Sequence, residues 1–240
     1  MTQHSPDAGN PGRRSIGALA VVTGSSSGIG AAIARRLLHD GWNVVGLDRA
    51  PPSIQAPGFD ANQVDVTEAR EVTACLSTLH DVKALVHAAG FMRVAPLGSL
   101  TAADGMSMWR LHVEAAETLA NAVAPKLPNG GRIVLIGSRT ASGAHGRSQY
   151  AATKAALVGM ARSWAIELAP RGITVNVVAP AATDTPMLQD PARGNVAPRV
   201  PPIGRLVTAG EVAALTAFIL SDEAAAITGQ QLVICGGSSL

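Results

Sequence analysis

The sequence predicts an α/β fold: a single-domain, Rossmann-type, doubly wound sheet of about seven parallel strands with helices on both faces. Short apolar runs rich in Val, Ile, Leu and Ala alternate with helical segments along the whole chain, a pattern typical of parallel sheets. The apolar runs are nearly continuous, as in strands that are buried on both faces. The chain of 240 residues contains no repeat and no internal linker, so one domain is expected.

The first half of the chain supplies four predicted strands and three predicted helices. The strands are expected at residues 18–23, 42–48, 62–66 and 82–90. The first helix follows the first strand and ends at Gly41, because glycine is favoured just beyond a helix C-terminus. Thr67 is expected to cap a second helix that runs to about residue 79. A long third helix is expected at about residues 103–124.

The second half continues the alternation with strands expected at residues 131–138, 173–180 and 230–235. One helix starts near Tyr150 and ends near residue 169, and another is capped by Thr208. A proline-rich segment, residues 186–202, follows the sixth strand. In a doubly wound sheet such a segment lies at the carboxyl ends of the strands, where ligands bind.

Composition excludes several classes of function. The net charge is only +2 and the charges are scattered, so we expect no nucleic-acid partner and no membrane surface. No apolar run reaches the ~20 residues that span a bilayer. Residues 1–16 are polar and lack the apolar core of a signal peptide. We therefore expect a disordered tail at 1–16, one domain at 17–240 and a cytoplasmic location.

The two cysteines, Cys75 and Cys235, lie far apart in apolar sequence. They form neither a metal-type cluster nor a disulfide framework. We expect both to be buried core thiols, and we expect no metal site.

A glycine-rich turn follows the first strand. In "VVTGSSSGIG", Gly24, Gly28 and Gly30 stand between the strand and the first helix. Glycines at these positions allow the backbone to approach a pyrophosphate, and the helix N-terminus offers free N–H groups and a positive dipole end. In this strand–turn–helix context the glycines predict a dinucleotide-binding site.

The end of the second strand suggests which dinucleotide is bound. Asp48 lies 18 residues after Gly30, where a carboxylate can accept hydrogen bonds from both hydroxyls of an adenosine ribose and would repel a 2′-phosphate. The glycine turn carries serines rather than a Lys or Arg. These features favour NAD over NADP. Arg49 keeps NADP open, because a guanidinium there could pair with a phosphate.

Taken together, "TGSSSGIG", "YAATK" and the order of strands and helices resemble the classical short-chain dehydrogenase/reductase (SDR) family. The resemblance covers about residues 17–240 and includes "VDV" at 64–66, "HAAG" at 87–90, Ser138 and "NVVAP" at 176–180. It implies an oxidoreductase with a nicotinamide dinucleotide and a small-molecule substrate. It also implies a homotetramer, or a homodimer, formed by pairing of the long helices.

Tyr150, the only tyrosine of the chain, lies four residues before Lys154 and 12 after Ser138. A phenol with an ordinary pKa of about 10 is a poor acid or base near neutrality. Lys154 lies one helical turn away on the same face, and its ammonium favours the phenolate. Tyr150 is therefore predicted to exchange the proton of a substrate alcohol. Ser138 can hydrogen-bond the substrate oxygen and stabilise the charge that develops on it.

The resemblance also implies further contacts with the cofactor. Asp65 and Val66 would contact the adenine, Thr183 and Thr185 would meet the nicotinamide carboxamide, and Lys154 would hold the nicotinamide ribose. The remaining implied cofactor-binding residues are Ser26, Ile29, Ala88, Ala89, Gly90 and Tyr150.

One departure from the family pattern lies on the long helix. His112 stands where the family has a catalytic asparagine. A proton-relay role and a histidine that is merely packed in the helix both remain open. His87 and Ala88 also replace the commoner asparagine pair.

The substrate is expected to be small and polar or anionic, because Arg93, Arg139 and His145 are the cationic candidates for its pocket. The first hypothesis is an NAD-dependent oxidoreductase that interconverts a small polar secondary alcohol and its ketone. The alternatives are a 3-oxoacyl-thioester reductase that uses NADPH, a cyclic dihydrodiol dehydrogenase, and a non-catalytic dinucleotide-binding protein.

Overall fold

The computed structural model describes residues 17–190 and 199–240. The predicted tail at 1–16, and residues 191–198 of the proline-rich segment, lie outside the described residues. The strands are β1 (Leu19–Thr23), β2 (Asn43–Asp48), β3 (Phe59–Gln63), β4 (Val82–His87), β5 (Arg132–Ile136), β6 (Thr174–Pro180), β7 (Thr183–Asp184), β8 (Val207–Thr208) and β9 (Gln231–Ile234). The α-helices are α1 (Gly28–His39), α2 (Ala69–Ser77), α3 (Ala102–Trp109), α4 (Ala115–Val123), α5 (Ser148–Leu168) and α6 (Ala209–Leu220).

Seven of the strands form one parallel sheet in the order β3-β2-β1-β4-β5-β6-β9. The predicted fold class is confirmed. The order reverses direction between β1 and β4, and ligands bind at such a switch point in doubly wound sheets. The carboxyl ends of β1, β2, β4, β5 and β6 meet at that edge.

The core consists of two apolar layers, one on each face of the sheet. Val21 and Leu85 face the layer formed with α2, α4 and α5. Val22 and Val86, the next residues in the same strands, face the layer formed with α1 and α6. Successive side chains of a strand point to opposite faces, so strands with helices on both sides need apolar residues at almost every position.

The predicted long helix contains a π-helical turn. It runs as α3, a π segment at Arg110–Glu114, and α4. π turns frequently occur at functional sites. Here the carbonyl oxygen of Leu111, within the turn, accepts a hydrogen bond from Nε2 of His87 at 3.0 Å.

The structure differs from the predicted elements at β3 and α2. β3 starts at Phe59 and pairs with β2 through Gln63, three residues before the predicted position. Thr67 does not cap α2, because both its N–H and its hydroxyl bind Oδ1 of Asp65. The predicted cap at Thr208 is confirmed, since Thr208 and Glu211 form a reciprocal capping box.

Smaller features also differ from expectation. β7 and β8 form a two-stranded parallel sheet of their own, which the sequence did not indicate. The thiols of Cys75 and Cys235 are both free and only half-buried, so the prediction of core thiols is wrong. Among residues 17–190 and 199–240, no helix is long and apolar enough to cross a membrane, and His, Cys, Asp and Glu side chains form no group of three or more that could hold a metal ion.

Candidate active site

A cavity of about 780 Å³ opens at the carboxyl ends of the strands. It is lined by most of the predicted site residues: Gly24, Gly28, Ile29, Gly30, Asp48, Asp65, Val66, Ala88, Ala89, Gly90, Arg93, Ser138, Arg139, Tyr150, Lys154, Thr183 and Thr185. Ser26, His112 and His145 are not among the lining residues. The topology thus brings the glycine turn, the "HAAG" segment and the Ser–Tyr–Lys set to one space.

The glycine turn is closely packed against the "HAAG" segment. A Cβ on Gly24, whose φ is +69°, would lie 2.9 Å from the Cα of Ala89. A Cβ on Gly30 would collide with the carbonyl oxygen of Gly24. No side chain caps the N-terminus of α1, so its first N–H groups are left for another acceptor. The turn therefore fits a pyrophosphate.

Asp48 is held in place at the end of β2 by two backbone donors. Its Oδ2 accepts from the N–H of Ser26 and its Oδ1 from the N–H of Ala50, both at 2.9 Å. A carboxylate has about four lone-pair sites, so two remain for a ligand. Ser26 acts through its backbone, and Ser27, which the sequence analysis missed, lines the cavity instead. Arg49 lines it as well and is exposed.

A buried network under the cavity holds the "HAAG" segment. Oγ1 of Thr23 accepts from the N–H groups of Ala88 and Ala89 at 3.0 Å and lies 2.9 Å from Nδ1 of His87. Because the Leu111 carbonyl can only accept, the His87 proton lies on Nε2, and Thr23 donates to Nδ1. Burial, reinforced by the charge of Lys154, lowers the pKa of His87 to about 3. The ring is therefore neutral at physiological pH.

Ser138, Tyr150 and Lys154 are all buried at the floor of the cavity. Ser138 follows β5, and its Oγ accepts from the N–H of Thr140 at 3.1 Å, so its hydroxyl proton remains for another acceptor. Tyr150 and Lys154 lie in the first turns of α5. Nζ of Lys154 lies 5.9 Å from the centre of the Tyr150 ring.

Within residues 17–190 and 199–240, the ammonium of Lys154 has one acceptor. It donates to the carbonyl oxygen of Ile136 at 2.8 Å, which leaves two of its three N–H bonds for other acceptors. Burial lowers the pKa of Lys154 from 10.5 to about 7. A counter-anion would stabilise the charged form.

His112 lies behind the cavity, fully buried against Tyr150. Its Nε2 accepts from the N–H of Phe91 at 3.2 Å, so its proton is on Nδ1, which donates to Oγ1 of Thr153 at 2.8 Å. Thr153 in turn donates to the carbonyl oxygen of Tyr150 at 2.9 Å. Burial, together with the charge of Lys154 and electrostatic interaction with His87, holds the pKa of His112 well below its usual range.

The His112 ring also contacts the Tyr150 ring edge-on, with centroids 5.6 Å apart and planes at 86°. Nδ1 of the neutral imidazole holds α5 through Thr153, and Nε2 holds Phe91, directly after the "HAAG" motif.

The three predicted substrate residues have different surroundings. Arg93 is paired with Asp190 at 3.5 Å and Asp104 at 3.8 Å, and it stacks over Phe91. Arg139 makes one long bond, 3.4 Å, to the carbonyl oxygen of Ser238.

His145 is exposed and away from the cavity lining, so the structure does not support it as a substrate contact. Arg147, which the sequence analysis missed, lines the cavity. The sequence signal that could have identified Arg147 is its position three residues before Tyr150, because residues three apart lie on the same face of a helix.

This strand order, with a pyrophosphate-fitting turn at its switch point, defines a dinucleotide-binding class of protein. A family model described as "Enoyl-(Acyl carrier protein) reductase" matches residues 24–239. The 3-oxoacyl-[acyl-carrier-protein] reductase FabG of Escherichia coli is 38% identical over 237 residues, which cover 92% of this chain and 97% of the relative.

Solved structures agree with these sequence matches. Ligand-free aldohexose dehydrogenase (AldT) of Thermoplasma acidophilum superposes with a TM-score of 0.86 at 28% identity, covering 93% of this chain and 94% of the other. A short chain dehydrogenase from Burkholderia cenocepacia, in complex with NADP, superposes with a TM-score of 0.83 at 36% identity, covering 95% of this chain and 100% of the other. The chain belongs to the classical short-chain dehydrogenase/reductase family and is an oxidoreductase of that family.

Proposed function

We propose that the protein transfers hydride between a nicotinamide dinucleotide and a secondary alcohol or its ketone, with Tyr150 as the general acid/base. The observation that carries the proposal is that Ser138, Tyr150 and Lys154 line the same cavity as the glycine turn. All three are buried, and a dinucleotide and substrate that filled the cavity would exclude water from the reacting groups.

A bound dinucleotide supplies or accepts the hydride at its nicotinamide ring. In ketone reduction, the Tyr150 hydroxyl gives its proton to the carbonyl oxygen, and in alcohol oxidation it takes the proton back. The Ser138 hydroxyl donates to the same oxygen, because its proton is not used by the bond that its Oγ accepts from the N–H of Thr140. This bond strengthens as negative charge develops on the oxygen.

Lys154 assists in two ways. Its positive charge favours the phenolate form of Tyr150, and its two remaining N–H bonds are available to the ribose hydroxyls of the dinucleotide. Both contributions need the charged form of Lys154. Burial brings the pKa of Lys154 to about 7, and the negative charge of a bound pyrophosphate favours the charged form.

His112 acts as a positioning residue in this proposal. Its two nitrogens are taken up by Phe91 and Thr153, and its low pKa keeps it neutral. These observations favour the packed-histidine interpretation over the proton relay. Through Thr153, the imidazole holds the backbone carbonyl of Tyr150. It also packs edge-on against the Tyr150 ring and so holds the phenol toward the cavity.

We propose NAD as the cofactor. The support is Asp48, which lines the cavity with a carboxylate held by two N–H groups and would repel a 2′-phosphate. The Burkholderia structure contains NADP, so similarity alone favours the other dinucleotide.

For the substrate, the relatives support the second hypothesis better than the first. The 38% identical E. coli protein is a 3-oxoacyl-[acyl-carrier-protein] reductase, so we propose a 3-oxo group as the reacting ketone. A sugar is a second candidate, favoured by the similarity to an aldohexose dehydrogenase structure. Neither the E. coli reductase nor the aldohexose dehydrogenase favours a dihydrodiol, and the non-catalytic hypothesis is dropped for a member of an oxidoreductase family. The homotetramer stays a prediction.

The test is a panel of 3-oxoacyl thioesters, 3-oxo acids, aldohexoses and cyclic diols, each with both dinucleotides in the matching redox state, read by nicotinamide absorbance. We expect turnover of a 3-oxo compound, with NADH preferred over NADPH. Turnover of sugars alone would contradict the substrate class, and a preference for NADPH would contradict the role given to Asp48.

A further inference from the structure

Arg147 occupies a defined place at the substrate side of the cavity. It is the residue immediately before α5, three positions ahead of Tyr150, and both side chains line the cavity. Its backbone is held at two points: its N–H donates to Ala144 at 3.2 Å and its carbonyl accepts from Ala151 at 2.8 Å. The side chain therefore starts from a fixed position near the phenol.

The Arg147 side chain is half-buried, and the Nε of its guanidinium has no acceptor among the described residues. Its Nε is buried and makes no hydrogen bond within residues 17–190 and 199–240. Residues 191–198, "PARGNVAP", carry no carboxylate. A guanidinium is always charged, and a buried donor on a charged group is costly when it is left without a partner.

The other arginines of the cavity differ from Arg147 in this respect. Arg93 is neutralised by Asp104 and Asp190, and Arg139 donates to a carbonyl oxygen. Arg49, Arg110 and Arg199 are exposed, where water can satisfy their donors. Arg147 is therefore the one cavity arginine in the described part of the chain that carries a buried, unpaired guanidinium nitrogen.

We propose that Arg147 binds a carboxylate of the substrate, so that the protein acts on a small oxo acid and its hydroxy acid rather than on a carrier-bound thioester. This inference rests on the proposed function and narrows its substrate class. A guanidinium offers parallel N–H donors that match the two oxygens of a carboxylate. Its position three residues before Tyr150 would orient the ketone of such a substrate toward the phenol.

The experiment compares two probes that differ only in the anionic group: acetoacetate and its methyl ester, reduced with whichever of NADH and NADPH the wild type uses. Wild-type protein is expected to prefer the acid. In Arg147→Met, kcat/KM for acetoacetate should fall by about 10–100-fold, in keeping with loss of a charge-assisted hydrogen bond. The value for the ester should change by less than about 3-fold, and Arg147→Lys should recover part of the loss.

Controls separate this inference from the proposed function. Arg70→Met removes an exposed arginine of α2, outside the cavity, and should leave the acid-to-ester ratio as in the wild type. The affinity for the dinucleotide, measured by fluorescence, should be the same in Arg147→Met and in the wild type. Absence of turnover with any carbonyl compound in the wild type would overturn the proposed function itself.

Two results would overturn the role of Arg147 alone. The first is an equal loss on acid and ester in Arg147→Met. The second comes from S-(3-oxobutyryl)pantetheine with and without its 4′-phosphate: a loss in Arg147→Met confined to the phosphorylated thioester would assign the guanidinium to a phosphate and not to a carboxylate.

Discussion

Replacing Lys154 by methionine should stabilise the dinucleotide-free protein while it abolishes turnover. Lys154 is buried, and burial lowers its pKa from 10.5 to about 7. Since about 1.4 kcal/mol corresponds to a tenfold change in an equilibrium, this difference represents roughly 5 kcal/mol of unfavourable burial of the charged form. Methionine fills a similar volume without the charge. It loses the hydrogen bond to the Ile136 carbonyl, which is worth about 1 kcal/mol.

The gain should depend on pH in a defined direction. Between pH 7 and about 10 the unfolded chain keeps a proton on Lys154 that the folded protein has released, so the free energy of unfolding of the wild type rises with pH. Below pH 7 both states are protonated and the full cost of the buried charge is present. Lys154→Met lacks this dependence. Its advantage should be about 3–4 kcal/mol at pH 6 and should fall to about 1 kcal/mol by pH 9.

Urea unfolding at pH 6, 7, 8 and 9, without dinucleotide, measures this difference. Lys83→Met is the matched control, because Lys83 is half-buried on β4 and outside the cavity. Lys83→Met should not show a gain in the free energy of unfolding, relative to the wild type, that decreases as the pH rises. A Lys154→Met protein that is less stable than wild type at every pH, or equally stabilised from pH 6 to 9, would refute the reasoning.

Further changes test the dinucleotide site and the buried histidine. Asp48→Ser should lower the ratio of kcat/KM for NAD to that for NADP by about 10-fold or more, because the repelling carboxylate is gone; an unchanged ratio would contradict its role. His112→Asn should keep the shape of the pH–rate profile above pH 5, since the pKa of His112 is held well below its usual range. His112→Ala should lower stability by about 2–3 kcal/mol in urea unfolding, because the N–H of Phe91 loses its buried acceptor. Loss of an inflection near neutrality in His112→Asn would instead support a proton relay.

The fold was largely predictable because every strand of the sheet's interior is buried on both faces. Runs such as "LAVVT" in β1 and "RIVLI" in β5 are apolar throughout or nearly so. β3, "FDANQ", lies at the edge of the sheet and is mostly exposed, so its apolar signal was too weak to fix its position. The π turn in the long helix left no trace in the spacing of apolar residues.

Parts of the site were predictable where local spacing carries the information. Tyr150 and Lys154 share a helix face, and Gly24 with Gly30 follows a strand. The contact between Thr23 and His87 joins residues 64 apart, and local patterns give no access to such pairs.

The environment of a charge was equally hidden from the sequence. His145 and Arg147 are two positions apart, yet His145 is exposed and Arg147 lines the cavity. The low pKa of Lys154 results from burial by the whole fold, which no short motif encodes.

The most direct test of the proposed chemistry is the rate of hydride transfer in a single turnover of Tyr150→Phe, with dinucleotide binding measured on the same protein. Phenylalanine keeps the ring that packs against Met92 and Met108 and removes only the hydroxyl. We expect the rate to fall by about 10²–10⁴-fold while the Kd for the dinucleotide changes by less than about 3-fold. A rate within about 3-fold of the wild type, with binding intact, would contradict the role of Tyr150 as the proton donor and acceptor.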